Sequence, residues 1–177
     1  GDAHAQELEG EGVLTDWIVR RPYPTPLSVI LVKPDGKRTV VNHEAQTPPL
    51  PAGAVDFSRC RPKAILFDGH EPLISPPLAR WAREQGIPTI LDAGSVREGT
   101  LELAPRVDYL AASRKFACDF TGKEDPDDAL AVLSRIAPCA VITLGEEGLV
   151  WQRGTERGRL PAFSIEAMDT TGAGDVF

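Results

Sequence analysis

Cysteine is scarce: Cys60, Cys118 and Cys139 are the only three, far apart and without a C-x-x-C pair. Neither a disulfide framework nor a zinc site is indicated, so a reducing compartment, the cytoplasm, is expected. No apolar run approaches the roughly 20 residues that a membrane-spanning helix needs, and membrane association is not expected. Basic residues are in deficit. Lys and Arg number 19 against 26 Asp and Glu, for a formal net charge of −7 and a pI near 5.0. Nucleic-acid binding draws on cationic side chains, so it is argued against. No G-x-G-x-x-G follows a strand and no G-x-x-x-x-G-K-[ST] loop occurs, which sets aside a Rossmann dehydrogenase and a P-loop enzyme. The opening residues Gly1-Asp2-Ala3-His4-Ala5-Gln6 carry no basic stretch followed by an apolar one, as a secretory signal would. Internal repeats and low-complexity tracts are absent.

What is present is an ordinary soluble composition: 177 residues, 42% hydrophobic and 25% charged, enough for one domain with a buried core. Ala3, Ala5 and Leu8 stand among polar residues that stop at Gly12, as the end of a helix would. Leu27-Ser28-Val29-Ile30-Leu31-Val32 is β-rich and is separated by Pro34-Asp35-Gly36-Lys37 from Arg38-Thr39-Val40-Val41, the pattern of a hairpin. Pro22, Pro24 and Pro26 precede it and Thr47-Pro48-Pro49-Leu50-Pro51 follows it. These stiff flanks predict that residues 23–47 form a small β lid beside a core made of 1–22 and 48–177.

From Ala64 onward strands and helices alternate. Ala64-Ile65-Leu66-Phe67 is followed by a helix that opens at Ser75-Pro76 and presents Leu78, Trp81, Ala82 and Gln85 before Gly86. Ile87-Pro88-Thr89-Ile90-Leu91, Val107-Asp108-Tyr109-Leu110 and Ala140-Val141-Ile142-Thr143-Leu144 read as further strands. Asp125-Pro126 starts a helix carrying Leu130, Leu133 and Ile136. Short continuous apolar strands joined by amphipathic helices predict a parallel sheet covered on both faces, with right-handed crossovers. After Leu149-Val150-Trp151, a hairpin through Gly154 and Gly158 and an extended run at 163–167 complete the pattern.

Ligands of such sheets lie at the carboxyl ends of the strands. Asp68-Gly69-His70, Asp92-Ala93-Gly94, Ser113 and Thr143-Leu144-Gly145 fall there. The chain then reaches Asp169-Thr170-Thr171-Gly172-Ala173-Gly174-Asp175. Two glycines around an alanine let consecutive N–H groups converge on one anion, and phosphate is the natural guest. Asp175, directly after them, is placed to accept the proton of a hydroxyl that attacks a bound phosphoryl group.

Residues Ala167-Met168-Asp169-Thr170-Thr171-Gly172-Ala173-Gly174-Asp175-Val176-Phe177 resemble the C-terminal signature of the PfkB/ribokinase family of carbohydrate kinases. The resemblance implies a three-layer α/β fold with a central, mainly parallel sheet and a β lid, here incomplete at both ends. It implies Asp175 as catalytic base, with Gly172, Ala173 and Gly174 as the anion hole. Thr143 and Gly145, as a T-x-G after a strand, and Ser113 and Thr170 are implied on the nucleotide side. Asp169 and Thr171 are implied as ligands of a monovalent cation, K⁺ in some members. ATP and Mg²⁺ are the implied cofactors, a small sugar the implied partner, and a homodimer through the lid the implied assembly. Phe67-Asp68-Gly69-His70-Glu71-Pro72 and Leu91-Asp92-Ala93-Gly94-Ser95-Val96-Arg97 look most like the ketohexokinase and sulfofructose kinase side of the family.

Two departures qualify what is carried over. The family's N-x-x-E after the strand at 107–112 is replaced by Ser113-Arg114-Lys115-Phe116, and Phe116 offers nothing to magnesium. Family members also run to about 300 residues, so the chain reads as a fragment expected to be inactive on its own. The expected reaction is transfer of the ATP γ-phosphoryl group to a primary hydroxyl of a sugar, a ketose or related carbohydrate. Two alternatives stay open: a nucleoside or vitamin kinase of the same superfamily, and a sugar-binding regulatory homologue without catalysis. Plainer readings cover the remaining polar groups. Asp125, Asp127 and Asp128 open a helix, Glu146-Glu147 forms a solvated turn, His4 and His43 lie at the surface, and His70 sits at a strand end where substrate would come.

Overall fold

The computed structural model describes residues 1–33, 38–43, 47–165, 170–174 and 177. The expected turn at Pro34-Asp35-Gly36-Lys37 and the site residues Asp169 and Asp175 lie outside the described residues. The N-terminal helix α1 spans Asp2–Gly10. Strands β1 (Leu27–Val32) and β2 (Arg38–His43) then pair antiparallel, from Leu27 opposite His43 to Val32 opposite Arg38. Both faces of this ribbon are exposed along its whole length, and the Ser28 hydroxyl donates across it to Asn42 Oδ1 at 2.8 Å.

The main sheet is built in chain order from β3 (Ile65–Phe67), β4 (Thr89–Ala93), β5 (Tyr109–Ser113), β6 (Cys139–Thr143), β7 (Leu149–Arg153) and β8 (Glu156–Leu160). The first four strands are parallel, and β7 and β8 return antiparallel. Helix α2 (Ser75–Glu84) joins β3 to β4, and α3 (Glu98–Leu103) with a following 3₁₀ turn joins β4 to β5. Between β5 and β6 the chain makes α4 (Arg114–Thr121) and α5 (Pro126–Leu133). This is an α/β fold with a mostly parallel central sheet and a small antiparallel one. Among the described residues no helix is long and apolar enough to cross a membrane.

Alternation decides which face of the sheet is core. Phe67, Leu91, Leu110 and Ala140 are register partners across β3 to β6, and Ala93, Ala112, Ile142 and Val150 form the next row from β4 to β7; all eight are buried. Ala79 of α2, Leu103 of α3, Phe116 and Ala117 of α4, and Ala129, Leu130 and Leu133 of α5 join them in one cluster. The four helices therefore share one face. That follows from the topology: right-handed crossovers along a monotonic strand order return every connection to the same side. The opposite face carries Leu66, which is exposed, with Ile90, Val141 and Trp151 half-buried. Burial of both faces, as expected from the continuous apolar runs, is thus realised on one face by the described residues.

Local chemistry sets the strand limits. The Asp108 carboxylate accepts from the Thr89 amide and hydroxyl, each at 2.8 Å, and the Asp108 amide donates back to the Thr89 hydroxyl at 3.0 Å. Asp108 thus caps the start of β4, and β5 begins at Tyr109 instead of Val107. Thr89 is a buried polar residue, and this exchange satisfies its hydroxyl, as a buried hydroxyl requires. At α5 the Asp125 side chain accepts from the amides of Asp127 and Asp128, so that acidic cluster is a helix cap, as read from the sequence.

Candidate nucleotide and acceptor site

Parallel strands bring the carboxyl ends of β3, β4, β5 and β6 to one rim. Ser113, the last residue of β5, lies beside Thr143, the last of β6. Ser113 is also the N-cap of α4: its hydroxyl accepts from the Phe116 amide at 3.0 Å and donates to the Gly94 carbonyl at 2.8 Å. The hydroxyl therefore fastens three elements, the ends of β4 and β5 and the start of α4. Ser113→Ala is expected to cost about 1 kcal/mol through the lost cap, read as a lowered urea midpoint with an unchanged slope. Phe116 sits at the third position of α4, where the helix turns toward the sheet. It is fully buried and stacks on Phe120 at 5.2 Å between centroids. The position that would carry a metal-organising glutamate therefore belongs to the core.

Thr143 donates to the Ala112 carbonyl at a long 3.5 Å. After it the chain turns through Leu144, Gly145 and a short 3₁₀ segment to Gly148, closed by Leu144 N–H to the Gly148 carbonyl at 2.8 Å and Gly148 N–H to the Gly145 carbonyl at 3.0 Å. Arg114, first residue of α4, pairs with Glu147 of this turn at 2.6 Å. Gly148 combines φ +89° with close packing. A Cβ there would fall well inside contact distance of the Leu160 carbonyl oxygen, and 2.7 Å from the Ala162 amide nitrogen. The turn after β6 is thus pressed against the exit of β8, the segment that leads to the glycine motif.

Residues 171–174 form a turn, as the glycines imply. Gly172 has φ +76°, the Ala173 amide donates to the Thr170 carbonyl at 3.3 Å, and the Phe177 amide donates to the Gly174 carbonyl at 3.2 Å. A Cβ on Gly174 would meet nothing within 4 Å, so the space beside its α-carbon is open.

The structure brings Ser113, Thr143 and Gly145 together, and places Gly172, Ala173 and Gly174 with Thr170 and Thr171 on one turn. It also pairs residues that the sequence places in two separate segments. Arg97, N-cap of α3, lies with Nη1 2.9 Å and 2.8 Å from the two ring nitrogens of His70, and its Nη2 donates to the Ser95 hydroxyl at 2.8 Å. The sequence signals for this group were the position of its members after β3 and β4 and the family-like segments 67–72 and 91–97, none of which paired Arg97 with His70.

Clefts elsewhere hold none of these residues. One of about 350 Å³ lies at the amino-terminal edge of the sheet around Arg83, Tyr109 and Arg153. Another of about 330 Å³ lies between Val55, Phe57 and α2. A third, of about 740 Å³, includes Trp17 and Asp56. The Asp56 carboxyl is held below its ordinary value by hydrogen bonds from the hydroxyl and amide of Ser58, away from the rim. Among the described residues no group of three or more His, Cys, Asp or Glu is arranged to hold a metal ion.

Strand topology and rim define an α/β protein of the ribokinase-like fold. The comparisons agree: the adenosine kinase from Sinorhizobium meliloti superposes with a TM-score of 0.84 and 30% identity, covering 99% of this chain and 59% of that one. The chain belongs to the pfkB family of carbohydrate kinases, whose model matches residues 1–177. It is 24% identical to a ribokinase of Lactococcus lactis, over 100% of this chain and 59% of the relative. It is 26% identical to fructokinase-2 of Zea mays, over 96% of this chain and 56% of the relative. The chain thus spans about three-fifths of the length of these relatives.

Proposed function

We propose that the protein transfers the γ-phosphoryl group of ATP to a primary hydroxyl of a sugar, a ketose or related carbohydrate. The observation that carries this reading is the coincidence of a glycine turn at 171–174 with a family match over the whole chain. Amides of Gly172, Ala173 and Gly174 would face the transferring phosphoryl group, where fixed dipoles stabilise developing charge without reorganising. Asp175, next in sequence, would hold the acceptor hydroxyl and take its proton. Thr143 and Gly145 line the nucleotide side, with Thr170 next to the anion turn, and Asp169 and Thr171 are assigned to a monovalent cation such as K⁺.

For magnesium, the described positions after β5 do not supply a protein-held site. Phe116 is buried in the core and Ser113 has its hydroxyl engaged on both sides. Mg²⁺ would enter with the nucleotide phosphates, and no step is assigned to a metal ligand among these residues. A homodimer through the lid is the assembly favoured by the exposed apolar residues of the ribbon, with Leu27 63%, Leu31 58% and Val41 58% accessible.

The test is sugar-dependent formation of ADP across ketoses, aldoses and nucleosides. Turnover with a sugar is expected of a chain of the relatives' full length that contains this segment. A nucleoside as the sole acceptor would favour the nucleoside kinase reading, and binding of sugar without ATP consumption would favour a regulatory protein.

A further inference from the structure

The rim carries two arginines with opposite surroundings. Arg114 is neutralised by Glu147 at 2.6 Å. Arg97 is not matched in this way: among the described residues its guanidinium contacts are the His70 ring and the Ser95 hydroxyl. Neither contact is a carboxylate, so among the described residues the positive charge of Arg97 has no counter-charge at this exposed rim.

The group is also built rather than casual. Asp68 accepts from the His70 amide at 2.9 Å, which turns the loop after β3 toward β4. Thr100 accepts from the Arg97 amide at 2.9 Å and donates to the carbonyls of Ser95 and Arg97 at 3.1 and 2.9 Å. The two loops touch backbone to backbone. A Cβ on Gly99 would lie 2.8 Å from the Gly69 carbonyl carbon, and one on Gly69 would lie 2.9 Å from the Thr100 amide nitrogen. Both loops are thereby fixed, and Arg97 and His70 with them.

We infer that Arg97, oriented by His70 and Ser95, binds an oxyanion carried by the acceptor, a carboxylate or a phosphate, so that the preferred substrate is an acidic sugar. This rests on the kinase reading above and names the substrate class of that same site. A guanidinium with N–H donors to spare and no carboxylate partner among the described residues is the group best matched to a planar or tetrahedral oxyanion. Phosphates of ATP have the same chemistry, and position separates the two sources. Thr143 and Gly145 follow β6, whereas Arg97 and His70 follow β4 and β3. Those are two and three strands away, roughly 10–15 Å at the usual strand spacing.

Calorimetric titration of the protein with a neutral sugar, its uronic or aldonic acid, its phosphate ester and ATP tests the assignment. The anionic sugars are expected to bind about 10- to 100-fold more tightly than the neutral one, the range for charge-assisted hydrogen bonds. Arg97→Met should abolish that preference while leaving ATP binding unchanged, and Arg97→Lys should keep part of it. Equal affinity for neutral and anionic sugars, or no binding of any anionic sugar, overturns the inference. Loss of ATP binding in Arg97→Met assigns the guanidinium to the nucleotide and overturns it too. Selective anion binding without ADP formation from any acceptor would sustain it while sinking the kinase reading.

Discussion

In the enzyme at its relatives' full length, Asp175→Asn lowers kcat by about 10² to 10⁴, the range for loss of a general base, while the affinity for ATP changes little. Asparagine keeps the size of the side chain and its carbonyl oxygen, so an acceptor hydroxyl can still be held. What it loses is the capacity to take the proton. In a loose phosphoryl-transfer transition state that proton moves late, and the carboxylate serves first to aim the hydroxyl and then to receive its proton. Gly172, Ala173 and Gly174 are untouched by the change, so the charge stabilisation they are assigned should persist, leaving slow residual turnover. Steady-state kinetics on wild type and variant, with ATP binding measured alongside, provide the check. Turnover within a factor of a few of wild type would remove Asp175 from the role of base.

Much of this fold was legible because burial leaves periodic marks. The β1–β2 hairpin, four strands of the sheet and the starts of α2 and α5 followed from apolar runs, Ser-Pro and Asp-Pro pairs, and glycine stops; Asp125 caps α5, whereas Ser75 is the first residue of α2 and caps nothing. Helices α3 and α4 did not. Each is short, at six and eight residues, too few turns for a periodic stripe to stand out. Their signals were the caps: Ser113 before α4, and Gly122 in the left-handed region after it. The one-sided burial of the sheet was hidden for a different reason. Alternation with small and polar residues, as in Thr89-Ile90-Leu91-Asp92-Ala93, is weak on an apolar scale, and the strand order that puts every helix on one face is a tertiary fact.

The site divided along the same line. The glycine turn and the T-x-G strand end could be read from spacing because their chemistry is local. The Arg97–His70 group could not, since its members are 27 residues apart and meet only where Gly69 and Gly99 let two loops touch. Ser113 was assigned from the sequence to phosphate. Its hydroxyl also accepts from the Phe116 amide and donates to the Gly94 carbonyl, a role in fixing the rim that no local motif announced.

Gly148→Ala destabilises the protein by at least about 3 kcal/mol, combining strain at a glycine-only conformation with overpacking. Gly148 has φ +89° and ψ −127°, a region that a side chain makes costly by itself. The second cost is steric. The new methyl would be driven into the Leu160 carbonyl oxygen, the Pro161 carbonyl carbon and the Ala162 amide nitrogen. All of these are backbone atoms, so no rotamer change can relieve the clash. Either the turn after β6 or the exit of β8 must move, and both bear on the site: the turn carries Thr143 and Gly145, and β8 leads to the glycine motif. Gly145→Ala separates the two costs, because Gly145 has φ +64° but a Cβ there would meet nothing within 4 Å. That variant should lose only about 1 kcal/mol, the left-handed penalty alone. Urea unfolding of both variants gives the comparison. Equal losses would mean that the contact between the β6 turn and the β8 exit does not form, and with it would go the argument that this contact sets the path of the chain into the phosphate turn.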